Sequence, residues 1–319
     1  MTLVRLGYVA MSMELKNASP SQTMTFTQFQ KIADREAAIR KLERIARSNL
    51  TNYIAITKTY CCIRNPLLPI NFKTDSTSIS SGAFGLGFYH ANKRFIKGTY
   101  IQEHQLRVDF HPDHFVLLNT PNKDVFHQSI LTLKMHYLIL KEMKIDPTHR
   151  CVIHVGGKYM DKEKSLEQFI ETWMDVPTGI QKLIMLENDD TSFTLEDTLY
   201  LCQKLNIPLV FDYHHHLALH QDSNWQRQWD SIVQSWEHSP LPIKMHISSP
   251  KSEKSFRHHA DYIDSKLFFD FLHEIRGSIP QIDCMIEAKQ KDKALFKLME
   301  EIKNRDDVEV VDGSSFNLK

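Results

Sequence analysis

Six short apolar runs in the chain each end on a side chain that can hold a metal ion. They are VDF before His111, CVI before His154, LIML before Glu187, PLVF before Asp212, PIKM before His246 and CMI before Glu287. Imidazole and carboxylate donors without thiolate suit Mn, Fe or Zn better than they suit a structural, sulfur-bound zinc. Several such groups in one place exceed what a single ion needs. Two or three clustered ions are implied, with a carboxylate such as Glu187 shared between them. Clustered ions serve phosphodiester hydrolysis, because they activate water and stabilise both the attacking and the leaving oxygen.

The runs themselves say what positions these donors. They are too short and too β-branched for helices, and polar or turn-forming residues follow each one, so they read as buried strands. Eight strands are expected, at 3–9, somewhere in the poorly legible stretch that follows, and at 107–110, 151–154, 183–187, 208–212, 244–247 and 283–287. Amphipathic helices are expected between them at 37–57, 128–144, 162–174, 195–205, 225–236, 264–276 and 293–303. Thr194 offers an N-cap for the helix at 195–205, with Asp197 as its partner in a variant capping box. Strands alternating with helices predict an all-parallel α/β fold, a single (β/α)8 TIM barrel over 1–303. A polar tail at 304–319 is expected to fray. Barrel active sites sit where strands end, so six strand-end donors converge on one face.

Composition sets bounds on partners and compartment. Lys plus Arg and Asp plus Glu both number 39, so any nucleic acid would be held by a local basic face rather than by a positive field of the whole molecule. Cys61, Cys62, Cys151, Cys202 and Cys284 form no CxxC pair and no disulfide-like framework. With neither a signal peptide nor an apolar run of membrane-spanning length, the expectation is a reduced, cytoplasmic, soluble monomer with no membrane partner and no organic cofactor.

Each donor also has a bland reading. A lone strand-end histidine is usually a satisfied structural residue; repetition on successive strands is what weakens that account. In the run His214-His215-His216, alternation in an extended segment would turn neighbours to opposite sides, so His215 is expected to be a ligand and the others packed. His258 and His259 pose the same choice. Lys244 reads as a barrel-interior lysine paired to a carboxylate. Trp225, Trp229 and Trp236 read as core or helix surface, and Lys289, Lys291 and Lys293 as a solvated face.

Several strings, in order, carry a resemblance. RLGYVA at 5–10, SPSQTMTFT at 19–27, HVGG at 154–157, LENDD at 186–190, FDYHHH at 211–216, HISSPK at 246–251 and IEAKQKD at 286–292 resemble the UV DNA damage endonuclease family. That family comprises metal-dependent TIM-barrel repair nucleases related to abasic-site enzymes of the endonuclease IV type. The likeness spans residues 3 to 300. It implies incision of double-stranded DNA immediately 5′ of cyclobutane pyrimidine dimers and (6-4) photoproducts, leaving a 3′-hydroxyl and a 5′-phosphate. It also implies two or three Mn2+ ions, with Zn2+, Mg2+ or Co2+ as substitutes, and work on the nucleoid of a bacterium. Carried over by position, the ligands are His111, His154, Glu187, Asp212, His215, His246, His259 and Glu287. By analogy, His111, His154 and Glu187 hold one ion, Glu187, Asp212, His246 and Glu287 a second, and His215 with His259 a third. Glu187, Lys244 and Glu287 are the implied catalytic groups; Lys244 matches a lysine that is carboxylated in the family. Tyr8 matches a tyrosine that probes the damaged dinucleotide.

The chain also departs from that pattern. The family's lesion-probing Gln-Tyr pair falls on His114 and Phe115, and its probing Asn falls near Ser12. The second-strand region, 61–90, carries Pro66 and Pro69 where a central strand is expected, and proline removes a ladder hydrogen bond. The strand-end histidine that should follow is missing, since His90 does not align. One account is a local frameshift, because 63–72 can encode an Arg-Tyr-Tyr-Arg-like strand in a shifted frame; resequencing the gene tests it. If the residues stand, weak closure between the first and third strands and weak activity are expected. Two alternatives follow: a xylose-isomerase-like metal-dependent sugar isomerase or epimerase, and a catalytically impaired DNA-binding relative.

Overall fold

The computed structural model describes residues 1–8, 12–14, 24, 28–29, 31–41, 43–45, 48, 67–69, 98–103, 106–159 and 161–319. Eight parallel strands form the core: β1 (Thr2–Tyr8), β2 (Leu67–Pro69), β3 (Arg107–Asp109), β4 (Cys151–His154), β5 (Ile184–Glu187), β6 (Leu209–Asp212), β7 (Ile243–Ile247) and β8 (Gln281–Ile286). Their order is β3-β2-β1-β8-β7-β6-β5-β4. The two ends of that path meet through one parallel bridge, Phe110 to Cys151. There the Phe110 N–H donates to Arg150 O at 2.6 Å and the Val152 N–H donates to Phe110 O at 2.8 Å. The result is the expected (β/α)8 barrel.

Helices α1 (Gly98–Glu103), α2 (Lys123–Glu142), α3 (Lys162–Trp173), α4 (Thr178–Gln181), α5 (Leu195–Leu205), α6 (Tyr213–Ala218), α7 (Trp229–Gln234), α8 (Ser265–Glu274) and α9 (Asp292–Ile302) lie between and after the strands. α2 starts earlier than the apolar periodicity suggests because the Asn122 side chain accepts from the N–H groups of Asp124 and Val125. α5 carries the expected capping box of Thr194 and Asp197, and Asn206 ends it in the left-handed conformation at φ 54°. Of the helix expected at 37–57, residues 37–41, 43–45 and 48 are helical, the helix starting already at 35, and the others lie outside the described residues. Trp225, Trp229 and Trp236 are buried, as expected of core residues. No helix among the described residues is long and apolar enough to cross a membrane.

Two expectations need correction or qualification. The tail does not fray: β9 (Val308–Asp312) and β10 (Ser315–Leu318) form an antiparallel hairpin, and β10 pairs with β1 from Thr2↔Leu318 to Arg5↔Ser315. The second strand exists but is three residues long, touching β1 only at Gly7↔Leu67 while pairing with β3 from Leu67↔Arg107 to Pro69↔Asp109. β10 therefore covers the part of β1 that β2 leaves open, satisfying backbone groups that would otherwise lie on a bare edge. Apart from 67–69, the atypical window 61–90 and its frameshift account lie outside the described residues.

Two outcomes follow. Phe316 on β10 is fully buried and its ring lies 6.0 Å from Phe269 on α8. Phe316→Ala should lower unfolding free energy by about 3–5 kcal/mol, and a wild-type denaturation midpoint would show the hairpin to be peripheral. His136 on α2 is buried, stacked on Phe110 at 4.4 Å, with neither ring nitrogen hydrogen-bonded among the described residues. Burial pushes this imidazole down to about 3, so the folded protein resists a proton that the unfolded chain takes up readily. Stability from the neutral ring is present above the unfolded pKa and is lost as pH falls towards 3. His136→Leu should remove about 1–3 kcal/mol of that loss between pH 6.5 and 4. Parallel pH–stability curves for variant and wild type would contradict this.

Candidate metal centre

Parallel registry brings the strand-end donors level. His154 on β4 pairs with Glu187 on β5, and Asp212 on β6 pairs with His246 on β7. Glu187 is fully buried and stands at the centre. Its two carboxylate oxygens face different partners. Oε2 lies 2.8 Å from His111 Nε2 and 3.8 Å from His154 Nε2. Oε1 lies 2.9 Å from His246 Nδ1 and 3.6 Å from His215 Nδ1. Glu287 adds an oxygen 3.3 Å from the same His246 nitrogen.

Donor atoms of His111, Glu187, His246 and Glu287 lie within 4.8 Å of one another, as do those of Glu187, Asp212 and His215. Glu187 belongs to both groups, as a shared carboxylate must. This grouping differs from the expected partition, because His215 sits with Asp212 rather than with His259. His259 approaches Glu287 Oε2 only to 3.9 Å. Asp212 Oδ2 and His246 Nε2 are buried without a hydrogen-bond partner among the described residues, which leaves donor capacity that a cation would satisfy. The donor set therefore fits metal ions.

The electrostatics agree. Burial alone would raise the Glu187 carboxyl, but the surrounding His246, His154 and His111 outweigh it and hold the group well below the usual carboxylate range. Burial would likewise lower His215, yet Asp212, Glu187 and Glu287 push it up to about 10. Negative charge at this face exceeds what neutral imidazoles could balance, and protons or cations must supply the difference.

His215 turns inward for a different reason from the one expected. Residues Tyr213–Ala218 are a helix, not an extended segment, and Asp212 caps it by accepting the His215 N–H at 2.7 Å through Oδ1. One carboxylate thus starts the helix with one oxygen and offers the other to the site. His214 and His216 are packed as expected. The first lies between Ser248 Oγ at 2.5 Å and Phe256 O at 2.7 Å, the second 3.4 Å from Ser223 O. Lys244 lies one layer below, where its amine donates to Asp109 Oδ2 at 3.2 Å. Burial pushes that amine down. Asp109, held at about 2 by Arg107, Lys244 and Arg150 against the effect of burial, is the paired carboxylate of the bland reading.

Of the expected lesion-probing residues, His114 and Phe115 are exposed, the Phe115 ring 49% exposed and 4.1 Å from that of His114. Tyr8 is fully buried. Sequence reasoning missed Asn188, which immediately follows Glu187. Its side chain accepts from the Asp212 N–H at 2.9 Å and donates to Asp212 O at 3.0 Å, and its carbonyl accepts from His215 Nδ1 at 2.9 Å. An amide at a strand end was the available signal, because its oxygen can accept from a neighbouring backbone while its NH2 group donates to it.

Comparison with known proteins bears directly on this arrangement. A family model described as UV-endonuclease UvdE matches residues 4–319. The chain belongs to the UV-endonuclease UvdE family. A UV DNA damage endonuclease from Halalkalibacterium halodurans is 47% identical over 320 residues, covering 98% of each chain. One from Bacillus cereus is 39% identical over 306 residues, covering 94% of this chain and 95% of its own. The crystal structure of SacUVDE matches with a TM-score of 0.75 at 25% identity, over 95% of this chain and 100% of that one. UvdE membership sets aside the sugar isomerase alternative.

The Asn188 clamp gives a specific outcome. Asn188→Ala should weaken metal binding at the Asp212 and His215 group by about 10–100-fold, the usual cost of losing an outer-shell partner. Metal titration followed by calorimetry should show one class of site weakened and the other unchanged. Unchanged affinity at both would remove Asn188 from the account.

Proposed function

We propose that the chain is a metal-dependent DNA repair endonuclease acting on double-stranded DNA that contains UV photoproducts. It hydrolyses the phosphodiester backbone immediately 5′ of cyclobutane pyrimidine dimers or (6-4) photoproducts and leaves a 3′-hydroxyl and a 5′-phosphate. The observation that carries this reading is the buried Glu187, whose two oxygens face separate sets of imidazoles in a chain of the UvdE family.

Glu187, Glu287 and Asp212 supply negative donors, while His111, His154, His215 and His246 supply neutral ones, with His259 completing the rim beside Glu287. Two or three bound ions, with Mn2+ favoured, would provide Lewis-acid stabilisation of the phosphate and a water of lowered pKa. The chain's own residues fix the geometry of that centre. Lys244 acts from below, as a positioning group that neutralises Asp109 two residues before His111. The exposed His114 and Phe115 side chains would meet the distorted base step. Bringing a stacked lesion to a recessed centre requires unstacking it, which a photoproduct makes cheaper than intact DNA does. The protein would act as a monomer in the cytoplasm, on nucleoid DNA, without an organic cofactor.

A catalytically impaired relative is the second reading, favoured by the three-residue β2. The test is incision of a UV-irradiated, end-labelled duplex in Mn2+. Cutting 5′ of lesions should be abolished by chelator and reduced at least about 100-fold by Glu187→Gln, the upper end of what even an outer-shell loss costs. A folded, metal-loaded protein that leaves damaged DNA intact would favour the impaired relative.

A further inference from the structure

The loop after β4 ends in a half-exposed aromatic ring carried by a residue in a glycine-favouring backbone conformation. It runs from His154 through Val155, Gly156, Gly157 and Lys158 to Tyr159, just before α3. Its backbone is pinned on both sides. The fully buried Asn119, from the loop after β3, donates from Nδ2 to Gly157 O at 2.7 Å and accepts the Gly157 N–H at 3.1 Å. Ser165, at the start of α3, donates to Lys158 O at 2.7 Å. Gly156 has φ 119°, and a Cβ there would meet Asn119 Oδ1 at 2.2 Å, so the clamp tolerates no side chain at that position.

This rigid platform ends in Tyr159 at φ 47°, in the left-handed region, where a side chain carries a penalty that glycine escapes. The ring lies across Gly157, where a Cβ would stand 3.0 Å from its Cζ. It is nevertheless 48% exposed. A large half-exposed ring in a glycine-favouring conformation contributes little to the core, and such strain gathers at ligand-contacting positions. The same clamp joins the loops that carry His111 and His154, so the ring is fixed relative to the metal centre. Phe115 belongs to the loop that carries Asn119, and Tyr159 to the loop that carries Gly157.

We infer that Tyr159 is a DNA-contacting residue, a fixed stacking surface for a nucleobase beside the lesion, at a position distinct from His114 and Phe115. This rests on the DNA-directed reading of the metal centre. Stacking on an aromatic face is tolerant of sequence, so the contact holds the strand without reading it. Tyr159 is thereby a positioning residue for the incised strand and takes no part in bond making.

The test exploits the backbone conformation, measuring fluorescence anisotropy of a labelled UV-irradiated duplex, incision kinetics and thermal denaturation on the full chain. Tyr159→Gly removes the ring and the backbone penalty together. It should weaken duplex binding and raise KM about 5- to 100-fold, as expected for one lost stack. Its kcat should be unchanged and its Tm no lower than wild type. Tyr159→Phe should restore binding. Wild-type affinity in Tyr159→Gly overturns the inference, as does a loss of affinity accompanied by a lower Tm, which would mark a structural role. If the wild type cuts damaged DNA while Tyr159→Gly binds and cuts equally well, only the tyrosine is wrong. A wild type that neither binds nor cuts overturns both readings.

Discussion

A fully buried carboxylate needs compensating positive charge, and the architecture of this barrel mouth follows from meeting that need at Glu187. An isolated ionised carboxylate in a protein interior costs several kcal/mol after relaxation. Glu187 is instead ringed by imidazoles from the loop after β3 and from β4, β7 and α6, with two carboxylates, Asp212 and Glu287, close behind. Those acids add to the negative charge, so histidine protons alone are a partial answer. Divalent cations would answer it fully, and the donor groups around Glu187 are close enough together to hold them.

The layer below obeys the same rule with opposite sign. Arg5 and Arg107 share Asp283, Arg107 also pairs with Asp109, and Lys244 completes the set by donating to Asp109. These interior ion pairs lock strands β1, β3, β7 and β8 together at one level. Registry is thereby fixed beneath the site, and a one-residue slip would turn every strand-end donor away from the mouth. Function at the top of the barrel and ion pairing in its middle are linked by the strands they share. β4 and β5 hold His154 and Glu187 at matched positions through their own parallel ladder.

Much of this was legible in the residues. CVIH and LIMLE announce strands because their apolar runs are brief and end abruptly, and Thr194 with Asp197 announces a helix start. His215, the expected ligand of its run, does face Glu187, but a helix capped by Asp212 turns it there rather than strand alternation; local spacing cannot reveal that one carboxylate both caps the helix and faces the site. Asn188 escaped notice because its role consists of hydrogen bonds to a neighbouring strand. The β9–β10 hairpin escaped for a similar reason. Val308–Asp312 and Ser315–Leu318 carry apolar residues on either side of an Asp-Gly turn, but the hairpin's place in the fold comes from pairing with β1 at the far end of the chain. Non-local pairing is what composition hides. Asn119 was equally silent, since a buried amide gripping a glycine more than thirty positions away leaves no periodic trace.

The central claim is that Glu187 is shared by two ions rather than serving one or none. Anomalous diffraction from crystals grown with Mn2+ tests it most directly. The account predicts at least two anomalous peaks, one on each side of the Glu187 carboxylate, each within about 2.0–2.2 Å of one of its oxygens. His111 should ligate one of these ions, and Asp212 with His215 the other. A single peak bound by one oxygen alone, or peaks remote from Glu187, would contradict the account.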